Sequence, residues 1–194
     1  MRKFSITRKT AETAVSVVMN LDGTGKYDID TKIGFFDHML TLLSVHSLID
    51  LQVKCDGDTE VDGHHSVEDT GIVLGDAFAR AIGDRKGIKR YGTFFLPMDE
   101  TLAMVSLDIS NRPFLVFDAG TLVPMVGDFA TELTEEFFRA FTVHAGLTLH
   151  IKILYGKNSH HKIEAAFKAF GHALRQAVEK DPRVNGIPSS KGVL

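Results

Sequence analysis

Two stretches of the chain carry the same three chemical groups at the same spacing. Residues 62 to 75 read DGHHSVEDTGIVLG and residues 158 to 171 read NSHHKIEAAFKAFG, so His64, His65 and Glu68 recur as His160, His161 and Glu164 at a constant offset of 96 (160 minus 64). Positions i and i+4 of a helix share a face, so His64 with Glu68, and His160 with Glu164, converge on one point. His65 and His161 sit roughly 100° further round and face elsewhere. A carboxylate beside an apolar stripe is costly to desolvate unless a cation compensates it. Imidazole nitrogens joined by a carboxylate suit a divalent transition metal, and the absence of thiolate partners argues against structural zinc. Because the adjacent histidines diverge, one helix is expected to serve two metal centres, with ligands drawn from different repeats or different subunits. His38 and its repeat partner Glu136 are the natural additional ligands.

The elements that must position these groups are themselves duplicated. Val67, Gly71, Leu74, Phe78 and Ile82 follow the first motif, and Ile163, Phe167, Phe170, Leu174 and Val178 follow the second, each set spaced as one helical face. Upstream, ETAVSVVMN (12–20) pairs with ETLAMVSLD (100–108), FFDHMLTLLSVHS (35–47) with TEEFFRAFTVHAG (134–146), and IDLQVKC (49–55) with LHIKILY (149–155). YDIDTK (27–32) and PFLVFDA (113–119) supply second strands, and GTFFLPM (92–98) enters the second half. The pattern predicts an α+β fold made by internal duplication of two similar half-domains. Each is expected to be a mostly antiparallel or mixed four-stranded sheet with two helices on one face, the helices packed between the sheets. The boundary is expected in GDRKGIKRYG (83–92), giving halves of about 1–90 and 91–194 in one duplicated domain.

The 194 residues are 44% hydrophobic and 24% charged, a globular composition, and the formal net charge of −3 gives no reason to expect nucleic acid or an anionic membrane as partner. No run of about 18 apolar residues occurs, and no apolar segment follows the early basic residues, so a soluble cytoplasmic chain is expected. The lone Cys55 is expected to be a buried strand residue. His46 and His144, at the ends of matching helices, are expected to cap carbonyls. His150 and His172 have no histidine at the repeat-related positions and are expected to be surface or packing residues; DGTG (22–25) reads as a turn.

With the two HHxxE groups, FFDHM, ETAVSVVMNLDGTG and the C-terminal GIPSSKGVL together, the chain resembles imidazoleglycerol-phosphate dehydratase of histidine biosynthesis from Thr10 to Leu194. The resemblance implies a shell of 24 subunits with two Mn2+ per active site at subunit interfaces. It also implies His38, His64, His65, Glu68, His160, His161 and Glu164 as ligands. Many relatives carry histidine where this chain has Glu136, so a carboxylate is expected as the eighth ligand, and Leu42 stands where some relatives have glutamine. The implied reaction is metal-dependent carbon–oxygen lysis: water leaves imidazole glycerol phosphate, a substrate with no carbonyl to absorb negative charge, and metal ions on the ring nitrogens favour imidazolate instead. Glu12 matches the family's acid/base residue, while Asp99 and Glu100 are expected to be structural remnants of the duplication. Arg90, Arg112, Lys168, Ser189, Ser190 and Lys191 match its phosphate-binding positions, with the tail expected to order over the phosphate. Without the resemblance, the ligand pattern also admits a non-catalytic metal-storage or metal-sensing protein, or a purely structural shell.

Overall fold

The structure, a computed structural model, describes residues 2–194. Strand β1 (Lys3–Lys9), β2 (Thr13–Asn20), β3 (Tyr27–Asp30) and β4 (Asp50–Gly57) form one sheet in the order β1-β2-β4-β3. Helix α1 (Gly34–Ser47) joins β3 to β4, and α2 (His64–Ile82) closes the first half. The second half repeats the plan. Strands β5 (Tyr91–Met98), β6 (Thr101–Asp108), β7 (Phe114–Asp118) and β10 (Thr148–Tyr155) form a sheet in the order β5-β6-β10-β7, with α3 (Leu133–Ala145) and α4 (Ser159–Val178). A short hairpin, β8 (Met125–Val126) and β9 (Phe129–Ala130), lies before α3 and has no periodic signal in the sequence.

Alternation of side chains explains the sheets. Val15, Val17 and Met19 of β2 and Leu51, Val53 and Cys55 of β4 are buried, as are Ala103, Val105 and Leu107 of β6 and Leu149, Ile151 and Ile153 of β10. Val17 stands opposite Val53, and Val105 opposite Ile151, in antiparallel pairs. The outer strands β3 and β7 run parallel to β4 and β10, an arrangement that demands a crossover; α1 and α3 supply it. The strand repeat needs one correction. β4 and β10 correspond at an offset of 98 (148 minus 50), the offset that also relates His38 to Glu136, whereas matching residue 49 to residue 149 is a slip of two residues. A two-residue slip keeps the same faces inward, which is why burial alternation could not reveal it.

The four helices fill the space between the sheets. All ten residues of the two predicted helical faces are buried. Phe137 meets Phe167 at 5.2 Å between ring centroids, Phe141 meets Phe170 at 5.4 Å, and Phe36 meets Phe137 at 5.3 Å. Helices α2 and α3 approach so closely that a Cβ at Gly75 would lie 2.6 Å from the Cβ of His144 and 2.8 Å from the carbonyl of Phe141. Contacts advance together along each helix pair: Gly71 then Gly75 of α2 against Ala140 then His144 of α3, and His38 then His46 of α1 beside Glu164 then His172 of α4. All four helices therefore run the same way, and their N-termini share one end of the molecule. The segment 83–92 is not a loose connection, since Ile88 is fully buried and bridges to Lys180.

Candidate metal centre

The shared helix end gathers the candidate ligands. Glu164, 93% buried by its residue exposure of 7%, sits one turn into α4, where its Oε2 lies 2.9 Å from His160 Nε2 and 3.3 Å from His38 Nε2. Ligand atoms of these three residues all lie within 4.8 Å of one another, a group able to hold a metal ion. The other carboxylate oxygen of Glu164 pairs with Lys168 Nζ at 2.5 Å. Burial alone raises the carboxyl pKa, but hydrogen bonds from Lys168 and His160 outweigh it, and Glu164 is held below its ordinary range as an anion. Two imidazole nitrogens and one anionic oxygen fit a divalent transition ion.

The repeat-related group is more open. His64 Nε2 and Glu68 Oε2 are 3.8 Å apart, and Glu136 pairs with Arg139 at 3.4 Å instead of joining them. His38 and Glu136 hold corresponding positions in α1 and α3, but among the described residues of this one chain His38 meets an HHxxE group and Glu136 does not.

His65 and His161 diverge from their neighbours as the helical spacing requires, with ring planes 90° and 80° from those of His64 and His160. Each is held by a carboxylate at Nδ1. For His161 the partner is Glu100 Oε2 at 2.8 Å; for His65 it is Asp58, whose two oxygens lie at 3.0 and 3.1 Å. These hydrogen bonds raise both imidazole pKa values. They leave Nε2 of each ring without a hydrogen bond among the described residues, and that is the nitrogen a metal would use. Glu12 Oε1 stands 3.8 Å from His65 Nε2, and Asp99 Oδ2 stands 3.8 Å from His161 Nε2. Asp58 carries no signal in the sequence, because a carboxylate in a loop before a helix reads as ordinary capping chemistry.

The predicted phosphate residues collect elsewhere. Arg90, Arg112, Ser189, Ser190 and Lys191 line a cleft of about 480 Å³ together with Tyr91 and Asn111. Arg90 is buried and gripped by Asp108 through two contacts of 2.7 and 3.0 Å; the Asp108 hydrogen bond raises its pKa further, so it is a fixed cation. Its remaining arm donates to the carbonyl of Pro188, which ties the C-terminal tail over the cleft. Lys168 does not join this cleft and stands with the metal group. The backbone N–H of Arg90 donates to the carbonyl of Ala177, near the C-terminal end of α4, whereas His160 lies in the first turn of that helix. At roughly 1.5 Å per residue, the cleft and the metal end of one chain are about 25 Å apart.

Two of the remaining histidines, His46 and His144, differ from expectation. His46 and His144 do not cap carbonyls through their rings: His46 Nδ1 faces His172 Nε2 at 3.2 Å, and His144 Nδ1 faces Asp76 Oδ1 at 2.9 Å. His172 also stacks on Phe94, with centroids 4.2 Å apart, so it does pack; His150 is exposed and Cys55 buried.

Two sheets enclosing a duplicated helical layer, with carboxylate and imidazole donors brought to one helix end, define a duplicated α+β enzyme fold carrying a metal-site pattern. The family model described as Imidazoleglycerol-phosphate dehydratase matches residues 31–174. The dehydratase of Clostridium acetobutylicum is 60% identical over 189 residues, covering 97% of this chain and 96% of the relative. That of Caldanaerobacter subterraneus subsp. tengcongensis is 58% identical over 194 residues, with both chains covered in full. Among solved structures, the Staphylococcus aureus dehydratase is similar with a TM-score of 0.84 and 44% identity over 92% of this chain and 99% of that one. The Pyrococcus furiosus structure has a TM-score of 0.84 and 36% identity over 97% and 100%. The chain belongs to the imidazoleglycerol-phosphate dehydratase family.

Proposed function

We propose that the chain is a hydro-lyase that removes water from imidazole glycerol phosphate to give imidazole acetol phosphate, the dehydration step of histidine biosynthesis. The observation that carries this is 60% identity to a named dehydratase across nearly the whole chain, with the HHxxE groups at a common helix end. The metal is Mn2+, two per active site, held by His38, His64, His65, Glu68, Glu136, His160, His161 and Glu164. Nitrogen-and-carboxylate donors without thiolate support that choice. When bound, the ions would favour the imidazolate form of the substrate ring, whose electrons help expel the hydroxyl from the ring-bearing carbon, and the carbon so depleted then takes up the electron pair of the neighbouring C–H bond.

The chain's own residues supply the rest. The hydroxyl on the ring-bearing carbon departs, and the neighbouring carbon, which becomes the ketone, gives up its hydrogen as a proton. Glu12, exposed at a strand start beside His65, accepts that proton as general base. The resulting enol tautomerises to the ketone. Arg112, Ser189, Ser190 and Lys191, ranged around the fixed Arg90, hold the phosphate. A three-carbon phosphorylated side chain is far too short to span the length of α4, so the cleft of one subunit serves the metal end of another. This favours a large homo-oligomer, read here as 24 subunits, and exposed Phe95, Phe114 and Tyr155 are available for such contacts. The two halves, about 1–90 and 91–194, act as one duplicated domain. Among the described residues no helix is long and apolar enough to cross a membrane, and a cytoplasmic location is proposed with no nucleic-acid partner.

The test is formation of imidazole acetol phosphate by metal-stripped protein before and after Mn2+ is restored. Recovery of turnover supports the reading. Tight Mn2+ binding with no dehydration under any metal overturns it in favour of a storage or sensing role.

A further inference from the structure

Glu12 and Glu100 occupy the same place in the two repeats, each directly before the strand threonine that opens β2 or β6, yet their surroundings differ. Glu100 is fully engaged. Its Oε1 accepts the backbone N–H groups of Lys157 at 3.0 Å and Asn158 at 2.8 Å, while its Oε2 accepts from His161 Nδ1. Among the described residues Glu12 has no such anchor, and its Oε1 stands 3.8 Å from Nε2 of His65. The difference lies in the connection between the last strand and the HHxxE helix. The repeat offset falls from 98 between β4 and β10 to 96 between the HHxxE groups of α2 and α4, so the first half carries two more residues there, and that longer loop contains Asp58. Asp58 has taken over Nδ1 of His65.

We infer that Asp58 and Glu100 are positioning residues that hold His65 and His161 with the proton on Nδ1 and the lone pair of Nε2 turned to the metal, and that the longer β4–α2 loop released Glu12 from this duty for proton transfer. The inference rests on the metal reading above. A carboxylate at Nδ1 can only accept, so it fixes the ring's proton there and makes the opposite nitrogen the donor to a metal. One carboxylate position thus became a catalytic group in the first repeat and a ring anchor in the second.

The amide variants test this. In Glu100→Gln, the side-chain carbonyl still serves Lys157 and Asn158, but the amide NH2 presented to His161 demands a lone pair at Nδ1 and forces the proton onto Nε2. Asp58→Asn does the same to His65. Free Mn2+ is counted by electron paramagnetic resonance during titration of metal-stripped native protein, both variants and Glu12→Gln, with thermal midpoints taken on the metal-free proteins to verify folding. Each anchor variant is expected to lose about 10- to 100-fold in affinity at one class of site, while Glu12→Gln binds as native. Affinities within about 2-fold of native in folded Glu100→Gln and Asp58→Asn overturn the positioning role. An equal loss in Glu12→Gln overturns the division of labour. Absence of Mn2+ binding by the native protein instead overturns the metal reading, and the inference with it.

Discussion

His46 Nδ1 of α1 lies 3.2 Å from His172 Nε2 of α4, one ring nitrogen against another, with Phe94 stacked behind His172. Burial lowers both pKa values; the His172 charge adds to this at His46, and Arg175 adds to it at His172. The fold therefore holds the pair neutral, while the unfolded chain binds protons with an ordinary pKa near 6.5. Stability from this source is complete above about pH 6.5 and declines as pH falls below it. His65 and His161, whose pKa values are raised, contribute in the opposite sense: their stabilisation is present below about pH 6.5 and lost as pH rises through their folded values. Metal-free His172→Gln protein should lose less stability than the native chain between pH 7.5 and pH 5.5. Denaturant midpoints at the two pH values check this, and equal losses would remove the histidine pair as the source.

The close approach of α2 and α3 should be sensitive at Gly75. An alanine there meets His144 and the backbone of Phe141, and overpacking of this kind costs about 1–3 kcal/mol. Gly34, in the first turn of α1, has nothing within 4 Å of an added Cβ, and its replacement by alanine should be neutral or slightly stabilising. Urea denaturation of both variants separates the two cases.

Glu12→Gln should lower kcat by about 100- to 10,000-fold, the usual share of a general acid/base group, without raising KM. Steady-state kinetics at saturating substrate reads the loss directly. A variant with kcat near native would move the proton-transfer role to another residue.

Lys191→Ala should act on binding instead. The lysine is exposed on the cleft rim, so stability should stay within about 0.5 kcal/mol of native. Loss of a charge-assisted phosphate contact, about 1.5–3 kcal/mol, should raise KM by roughly 10- to 100-fold. KM measured alongside the thermal midpoint distinguishes a binding role from a folding defect.

The sequence made the periodic features legible. Both HHxxE groups and both buried helical faces could be read because helix period and repeat offset are strictly local patterns. The register of β10 against β4 slipped by two residues because inward and outward faces repeat every second residue. Nothing in the sequence marks Asp58 and Glu100 as ring anchors, since Glu100 meets His161 where the start of β6 abuts the start of α4. The pairing of His46 with His172 was equally hidden, for it depends on α1 lying beside α4. The placement of Arg90 and Lys191 at the far end of α4 from His160 is likewise a property of the packed layer, not of motif spacing.

That separation yields the most direct test of an active site composed between subunits. Glu12→Gln disables the metal end while leaving the phosphate cleft intact, and an Arg112→Ala, Lys191→Ala double variant does the reverse. Co-expressed and purified as mixed oligomers in equal amounts, the two nearly inactive chains should recover about a quarter of native turnover, because random assembly places an intact metal end against an intact cleft that often. Mixed oligomers no more active than the two parents would show that both parts of each site come from the same chain, and would contradict the account.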